Sequence, residues 1–137
     1  MANLKGNMSK SDVIPAKSEL EVLKVLWKYG PSSVRFVHDK LSEGTKTVRY
    51  TSTLKIMQVM HEKGMVRRDE SNMRHVYKAN LEEQKTLGFL VQNFVETIYN
   101  GSFRNLLVAF VNTGKFSKKD LKKAQELLNL LEEKGDS

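Results

Sequence analysis

The sequence of 137 residues predicts a mainly α-helical protein with one small β-hairpin. Six segments carry apolar residues at the three- and four-residue spacing of a helix face. Between the third and fourth of these segments, two short stretches switch to β-branched and aromatic residues around a turn. Six of the eight glycines each follow a segment with helical periodicity, where glycine can end a helix without steric cost. Together these observations favour helices in series with one hairpin among them.

The first two predicted helices are connected by a short turn. The first covers residues 17–29, and Ser18 with Glu21 has the spacing of a capping box at its start. The second begins after Ser32-Ser33, and either serine could accept a hydrogen bond from its first turn. We therefore expect two short amphipathic helices, one after the other.

A third helix and a hairpin complete this part of the chain. The helix covers residues 50–63, with leucine and methionine three residues apart on one side. Residues 65–70 and 74–79 then have strand composition, and Ser71-Asn72 supplies the turn between them. Three helices followed by a hairpin is the element order of a winged helix-turn-helix domain.

The residues after position 79 return to a helical pattern and predict three amphipathic helices, the last capped by Ser117 with Asp120. They either fold back on the first 80 residues as a monomer or pair with a second copy. We favour the pair, because closed two-fold dimers are the commonest oligomers. The predicted dimer interface consists of Leu87, Leu90, Val91, Phe94, Ile98, Phe103, Leu107, Phe110, Leu121, Leu128 and Leu131.

These predictions divide the chain into three parts. Residues 1–12 are expected to be a flexible N-terminal tail, 13–80 a winged-helix DNA-binding domain, and 81–137 a helical dimerisation domain. The charge follows the same division: residues 1–80 hold 15 basic and 8 acidic residues, whereas 81–137 hold eight of each. A basic excess confined to one half indicates a polyanionic partner, either nucleic acid or a membrane surface.

The third predicted helix carries the groups that would read DNA. From Gly44 to Met60 there is no acidic residue, although acids normally favour the start of a helix. On a helical wheel, the outer face presents hydroxyl, amine and amide groups that suit base edges in the major groove. The predicted base-facing residues are Thr51, Ser52, Lys55 and Gln58, and the predicted backbone-facing residues are Lys46, Arg49, Tyr50, Arg67, Arg68 and Arg74. The alternative is that Thr51, Ser52 and Thr53 serve only as helix caps and fillers.

Other classes of function are excluded by what the sequence lacks. Without cysteine there are no disulfides, thiolate metal sites or thiol catalysis. The three histidines lie on separate elements, so we predict no metal site and no cofactor. Neither a phosphate-binding glycine loop nor a nucleophile–base pair is present, so we predict no enzyme. The chain has no apolar run long enough for a membrane and no apolar segment near its start, which predicts a cytoplasmic protein.

Several short motifs are distributed over about residues 13–132. They are Glu19–Trp27, Gly30-Pro31, Val34, Val37-His38, Tyr50–Leu54, His61–Arg68, Asn100–Ser102, Leu106–Phe110 and Ser117–Leu121. Together these motifs resemble the penicillinase-repressor family of the BlaI/MecI/CopY type.

The resemblance implies a dimeric bacterial transcriptional repressor that binds a palindromic operator and blocks transcription of β-lactamase-type or stress-response genes. It also implies a sensor protease as a partner, since the β-lactamase branch is relieved by cleavage between an Asn and a Phe in the fifth helix. The matching position here is Ala109-Phe110, which lacks the Asn. The copper branch senses metal through a cysteine-rich tail, which this sequence does not have.

One alternative belongs to a different class of function. Winged helices also serve as protein-interaction modules, and the basic face would then bind an acidic protein instead of DNA.

Overall fold

The computed structural model describes residues 13–44, 47–71 and 73–135. They form six helices and one two-stranded antiparallel sheet, which confirms the predicted fold class. In chain order the elements are α1 (Lys17–Tyr29), α2 (Val34–Ser42), α3 (Tyr50–Glu62), β1 (Val66–Asp69), β2 (Val76–Ala79), α4 (Glu83–Tyr99), α5 (Phe103–Thr113) and α6 (Lys118–Gly135). The predicted tail, residues 1–12, and the predicted DNA contact Lys46 lie outside the described residues, as does Asn72 of the predicted turn.

Helix α1 starts with a different cap from the predicted one. The capping box expected at Ser18 and Glu21 is wrong: the N-cap is Ala16, and its backbone N–H donates to Glu19 Oε1 at 2.8 Å. The Glu19 carboxylate is buried, and its Oε2 also accepts a hydrogen bond from Lys63 Nζ at 3.0 Å. A buried acid is retained only when it is paired and hydrogen-bonded. The ion pair with Lys63 therefore stabilises Glu19 as the carboxylate that caps α1.

Helices α2 and α3 form the helix-turn-helix pair. Ser33 is the N-cap of α2, and its hydroxyl accepts a hydrogen bond from Phe36 N at 3.1 Å, as one of the two sequence alternatives predicted. After α3, Gly64 adopts a φ of +84°, a left-handed conformation that glycine takes without strain. The chain can therefore turn directly from α3 into β1.

The hairpin β1–β2 with its turn, here called the wing, pairs Val66 with Ala79 and Arg68 with Tyr77. A further bridge, which the sequence did not predict, joins Ser32 to Tyr77 through two backbone hydrogen bonds of 2.8 Å. The segment before α2 thus pairs with β2 at a single residue. This bridge fixes the wing to the start of the helix-turn-helix pair.

The core of this first unit lies among α1, α2, α3 and the wing. Its buried side chains share an apolar character and come from every one of these elements: Val22, Leu23, Leu26, Val34, Val37, Met57, Met60, Met65, Val66, Tyr77 and Leu81. Trp27 packs against this cluster, and its Nε1 donates to the Leu81 carbonyl at 3.0 Å. The tryptophan is therefore part of the core and not an exposed stacking platform.

The remaining helices form a second compact unit, whose boundary with the first falls between Asn93 and Phe94, within α4. Ser102 caps α5 by accepting from Asn105 N at 3.1 Å. Ser117 and Asp120 cap α6 reciprocally, through bonds of 3.0 and 3.3 Å, as the sequence predicted. Every described side chain of α6 is exposed in the single chain.

No helix among the described residues is long and apolar enough to cross a membrane. The same part of the chain has no group of three or more His, Asp or Glu residues arranged to hold a metal ion.

Candidate nucleic-acid interface

Helix α3 divides cleanly into a buried and an exposed side. Thr53, Met57 and Met60 are fully buried against α1, α2 and the wing. Thr51, Ser52, Lys55 and Gln58 are all exposed, and we call this set the recognition face. Because the buried side fixes the rotation of the helix, the hydroxyl, amine and amide groups of the recognition face point away from the core.

The amino end of α3 has no acidic side chain and no side-chain cap. Arg49 is the N-cap residue in an extended conformation, and its carbonyl accepts from Ser52 N and Thr53 N. Neither Thr51 nor Ser52 occupies the cap position, so their hydroxyls are not used there. The first turn of α3 therefore combines the partial positive charge of a helix start with a flanking arginine, a favourable setting for an anion.

A cleft of about 480 Å³ lies between the starts of α2 and α3 and the wing. Its lining includes three arginines, one from α2 and two from the wing. Of the recognition face, Gln58 reaches this cleft, whereas Ser52 and Lys55 line a neighbouring groove beside α1. The recognition face thus separates two concave surfaces. The lining residues of the cleft are Ser33, Val34, Arg35, Tyr50, Leu54, Gln58, Arg68, Met73, Arg74, His75 and Tyr77.

Arg68 is held in place within the wing. Its Nε donates to Glu70 Oε2 at 2.6 Å, and its Nη1 lies 3.4 Å from the Tyr77 hydroxyl. Hydrogen bonding to Tyr77 and then to Glu70 raises the pKa of the guanidinium above its ordinary value. The bond from Arg68 in turn lowers the pKa of Glu70. Arg68 is therefore a fixed cation at the edge of the cleft, with a carboxylate beside it.

The other predicted wing residues fall on two different sides. Arg74 is exposed and lines the cleft with Arg68. Arg67 pairs with Lys78 across the hairpin, on the opposite sheet face, because neighbouring residues of a strand alternate in direction. Like charges placed directly opposite each other repel. An anion bound between Arg67 and Lys78 would reduce this repulsion. The structure does not bring Arg67 into the cleft.

One residue of this surface was missed from the sequence. Arg35, on α2, places its guanidinium carbon 4.5 Å from the centroid of the Tyr50 ring. The imidazole of His38 packs edge-on against the same ring at 5.5 Å, and His38 Nδ1 lies 3.2 Å from the hydroxyl of the buried Thr53. These contacts join residues of two helices, and no local spacing signals such a pairing. Only the packing of α2 on α3 brings them together.

The arrangement presents hydrogen-bond donors and cations to a single region of the surface. Arginine, lysine and amide groups are donors that can form hydrogen bonds to phosphates and base edges.

Comparisons with known proteins give a consistent result. The sequence model of the penicillinase repressor family matches residues 15–130. The penicillinase repressor of Bacillus licheniformis is 25% identical over 116 residues, which cover 85% of this chain and 88% of that protein. The methicillin resistance regulatory protein MecI of Mammaliicoccus sciuri is 24% identical over 118 residues, covering 83% and 92%. The solution structure of the DNA binding domain of the repressor BlaI covers 52% of this chain and 85% of that one, with 27% identity and a TM-score of 0.46.

The family match extends from the residues just before α1 into α6, and so includes the winged helix and most of the helical unit after it. It confirms the resemblance predicted from the sequence motifs. The chain belongs to the penicillinase repressor family, whose members are transcriptional repressors and not enzymes.

Proposed function

We propose that this protein is a repressor that binds a palindromic operator in double-stranded DNA as a homodimer and blocks transcription from the promoter it covers. The observation that carries the proposal is the recognition face of α3, which is exposed, free of acids and flanked by the arginines of the cleft. The second helix of a helix-turn-helix pair enters the major groove, and a dimer places two such helices about 34 Å apart.

Within this proposal the predicted contacts have separate roles. Thr51, Ser52, Lys55 and Gln58 face bases, where they determine which sequence is bound. The backbone contacts Lys46, Arg49, Arg67, Arg68 and Arg74 fix the position of the protein without reading sequence. A repressor with these contacts acts on bacterial DNA, and we therefore propose the cytoplasm as its compartment.

The exposed apolar side chains of α4, α5 and α6 support the dimer. Nine of the eleven predicted interface residues are 40–64% exposed in the single chain, and Leu87 and Leu90 are half-buried. Large apolar surfaces of this kind are typical of protein interfaces. A monomer would leave these side chains in water, so the dimer is the better explanation of the sequence in this region.

The regulated genes and the release step rest on the relatives. The relatives named above are a penicillinase repressor and a methicillin resistance regulator, which supports antibiotic-resistance genes of the β-lactamase type, or stress-response genes, as targets. A sensor protease is the proposed partner that ends repression, and the bond at the family position is Ala109-Phe110, within α5. A bond inside a helix is cut only after local unfolding, so this release requires α5 to open.

A gel shift with a random-sequence duplex at two salt concentrations, combined with sedimentation velocity, tests the proposal. We expect a dimer at micromolar concentration and DNA binding that weakens steeply as salt rises. A protein that sediments as a monomer, or that ignores duplexes in dilute buffer, would overturn it. In the second case, binding to an acidic protein through the same basic face becomes the better explanation.

A further inference from the structure

Arg35 and Tyr50 are in contact at the cleft, and they differ in burial. The ring of Tyr50 is half-buried, while Arg35 is exposed on α2. Among the described residues, no carboxylate forms a salt bridge with the Arg35 guanidinium, which lies over the aromatic ring of Tyr50. A guanidinium stacked on a ring still has N–H donors at its rim, in a fork that matches the oxygens of a phosphate. Arg35 is therefore an oriented cation without an anionic partner in the described part of the chain.

The orientation of Tyr50 is determined from inside the protein. His38 packs edge-on against its ring with 5.5 Å between centroids, and Thr53, which is fully buried, lies 3.2 Å from His38 Nδ1. A series of contacts thus runs from the core through His38 and Tyr50 to Arg35. Fixing a long side chain before binding reduces the entropy lost when it meets its ligand.

The position of Arg35 identifies the ligand. It lines the same cleft as Gln58 of the recognition face and Arg74 of the wing. In a helix-turn-helix pair, the first helix crosses the DNA backbone while the second lies in the groove, and α2 is the first helix of this pair. An arginine on α2 at the edge of the cleft is therefore placed to meet a phosphodiester.

We propose that Arg35 binds a phosphate of the DNA backbone and that Tyr50 is a positioning residue, which holds Arg35 and does not itself bind the backbone. This inference rests on the proposed DNA binding. It changes the role predicted for Tyr50 from the sequence and adds a contact that the sequence did not predict.

The test measures affinity for a random-sequence duplex across a series of salt concentrations. Arg35→Ala should weaken binding several-fold at low salt and reduce the salt slope by about 0.9, the value for one lost phosphate contact. Tyr50→Leu, which removes the ring but no charge, should reduce the slope by a similar amount. Tyr50→Phe, which keeps the ring and removes the hydroxyl, should behave like the wild type. The double variant Arg35→Ala/Tyr50→Leu should be no weaker than Arg35→Ala alone.

Lys24→Ala provides the matched control, because Lys24 is exposed on α1, carries the same charge and is not part of the cleft. Its slope should stay near that of the wild type. An unchanged slope for Arg35→Ala overturns the phosphate contact. A loss in Tyr50→Phe equal to that in Tyr50→Leu overturns the positioning role and assigns the hydroxyl to the backbone. Both results leave the proposed function intact, whereas a wild-type protein that binds no duplex overturns the proposed function and this inference together.

Discussion

Arg68 donates from Nε to Glu70 Oε2 at 2.6 Å, so a wing cation predicted to meet DNA is already bound to a carboxylate of its own hairpin. Glu70 is exposed, and Arg68 is half-buried at the edge of the cleft. The carboxylate holds the guanidinium in position and also places a negative charge beside any approaching phosphate. The pair therefore has opposing effects on DNA binding, and these effects can be separated by substitution.

Glu70→Gln should strengthen binding to a random-sequence duplex by about two- to fivefold, in line with the small energies of exposed ion pairs. The substitution removes the competing charge, while the amide oxygen can still accept from Arg68. Filter binding or fluorescence anisotropy at low salt measures the change. Glu43→Gln is the control, because it makes the same charge change at a residue paired with Lys40 outside the cleft. Equal gains in both variants would mean that net charge alone is responsible.

Acid should weaken the fold partly through Glu70. Its pKa in the folded protein is below the ordinary value of 4.5, mainly because of the hydrogen bond from Arg68. A lowered folded-state pKa means that the ionised carboxylate stabilises the fold above the ordinary value and that this contribution disappears as the pH falls through the folded value. Urea unfolding at several pH values should show wild type and Glu70→Gln converging as the pH falls below the ordinary value of 4.5. A constant difference across this range would contradict the role of the pair.

Arg49→Ala should weaken binding to all DNA sequences alike. Arg49 precedes α3 and is exposed, and a lost phosphate contact should reduce the salt slope by about 0.9. Lys118→Ala is the matched control, since it removes the same charge from α6, in the part of the chain without a basic excess. If the two variants lose affinity equally, the effect is one of total charge and not of position.

Lys55→Ala and Gln58→Ala should alter which sequences are preferred. Both side chains are exposed on the recognition face, and each is expected to lower discrimination at one base pair by about 1–3 kcal/mol. Selection of bound fragments from genomic DNA, followed by competition with single-base variants, gives the measurement. A uniform loss over all sequences would instead place these residues on the backbone.

Phe110→Glu should shift the protein from dimer to monomer in sedimentation velocity. The phenylalanine side chain is 52% exposed on α5 and stacks on Phe116 with 5.7 Å between centroids. A charge within an apolar interface must lose its water without gaining a partner. Asn105→Glu, at another exposed position of α5, should leave the dimer intact. A dimer that survives Phe110→Glu would remove this residue from the interface.

Local sequence signals predicted the elements well where they act within a few residues. Ser33 and the pair Ser117 with Asp120 cap their helices because the hydroxyl and the first turn are close in sequence. The bounds of α1 were predicted correctly, but its cap was misassigned because the stabilising partner of Glu19 is Lys63, which is distant in the chain. The spacing of Ser18 and Glu21 fits a capping box, but local spacing cannot indicate that Lys63 lies beside Glu19.

The candidate site shows the same division. Helical periodicity was enough to predict that Lys55 and Gln58 would be exposed on α3. It could not predict that Arg68 would line the cleft while Arg67 would not, because that depends on the register of the hairpin. Nor could it predict the stack of Arg35 on Tyr50, which requires two helices to be packed together.

The bridge between Ser32 and Tyr77 is made by main-chain atoms alone. Peptide groups are the same in nearly every residue, so the attachment does not depend on which side chains the turn of the hairpin carries. Mutation at that turn can therefore change the chemistry offered to a nucleic acid while the placement of the hairpin stays constant. Changes at the turn can therefore alter which DNA sequence is preferred, while the hairpin keeps the same main-chain attachment.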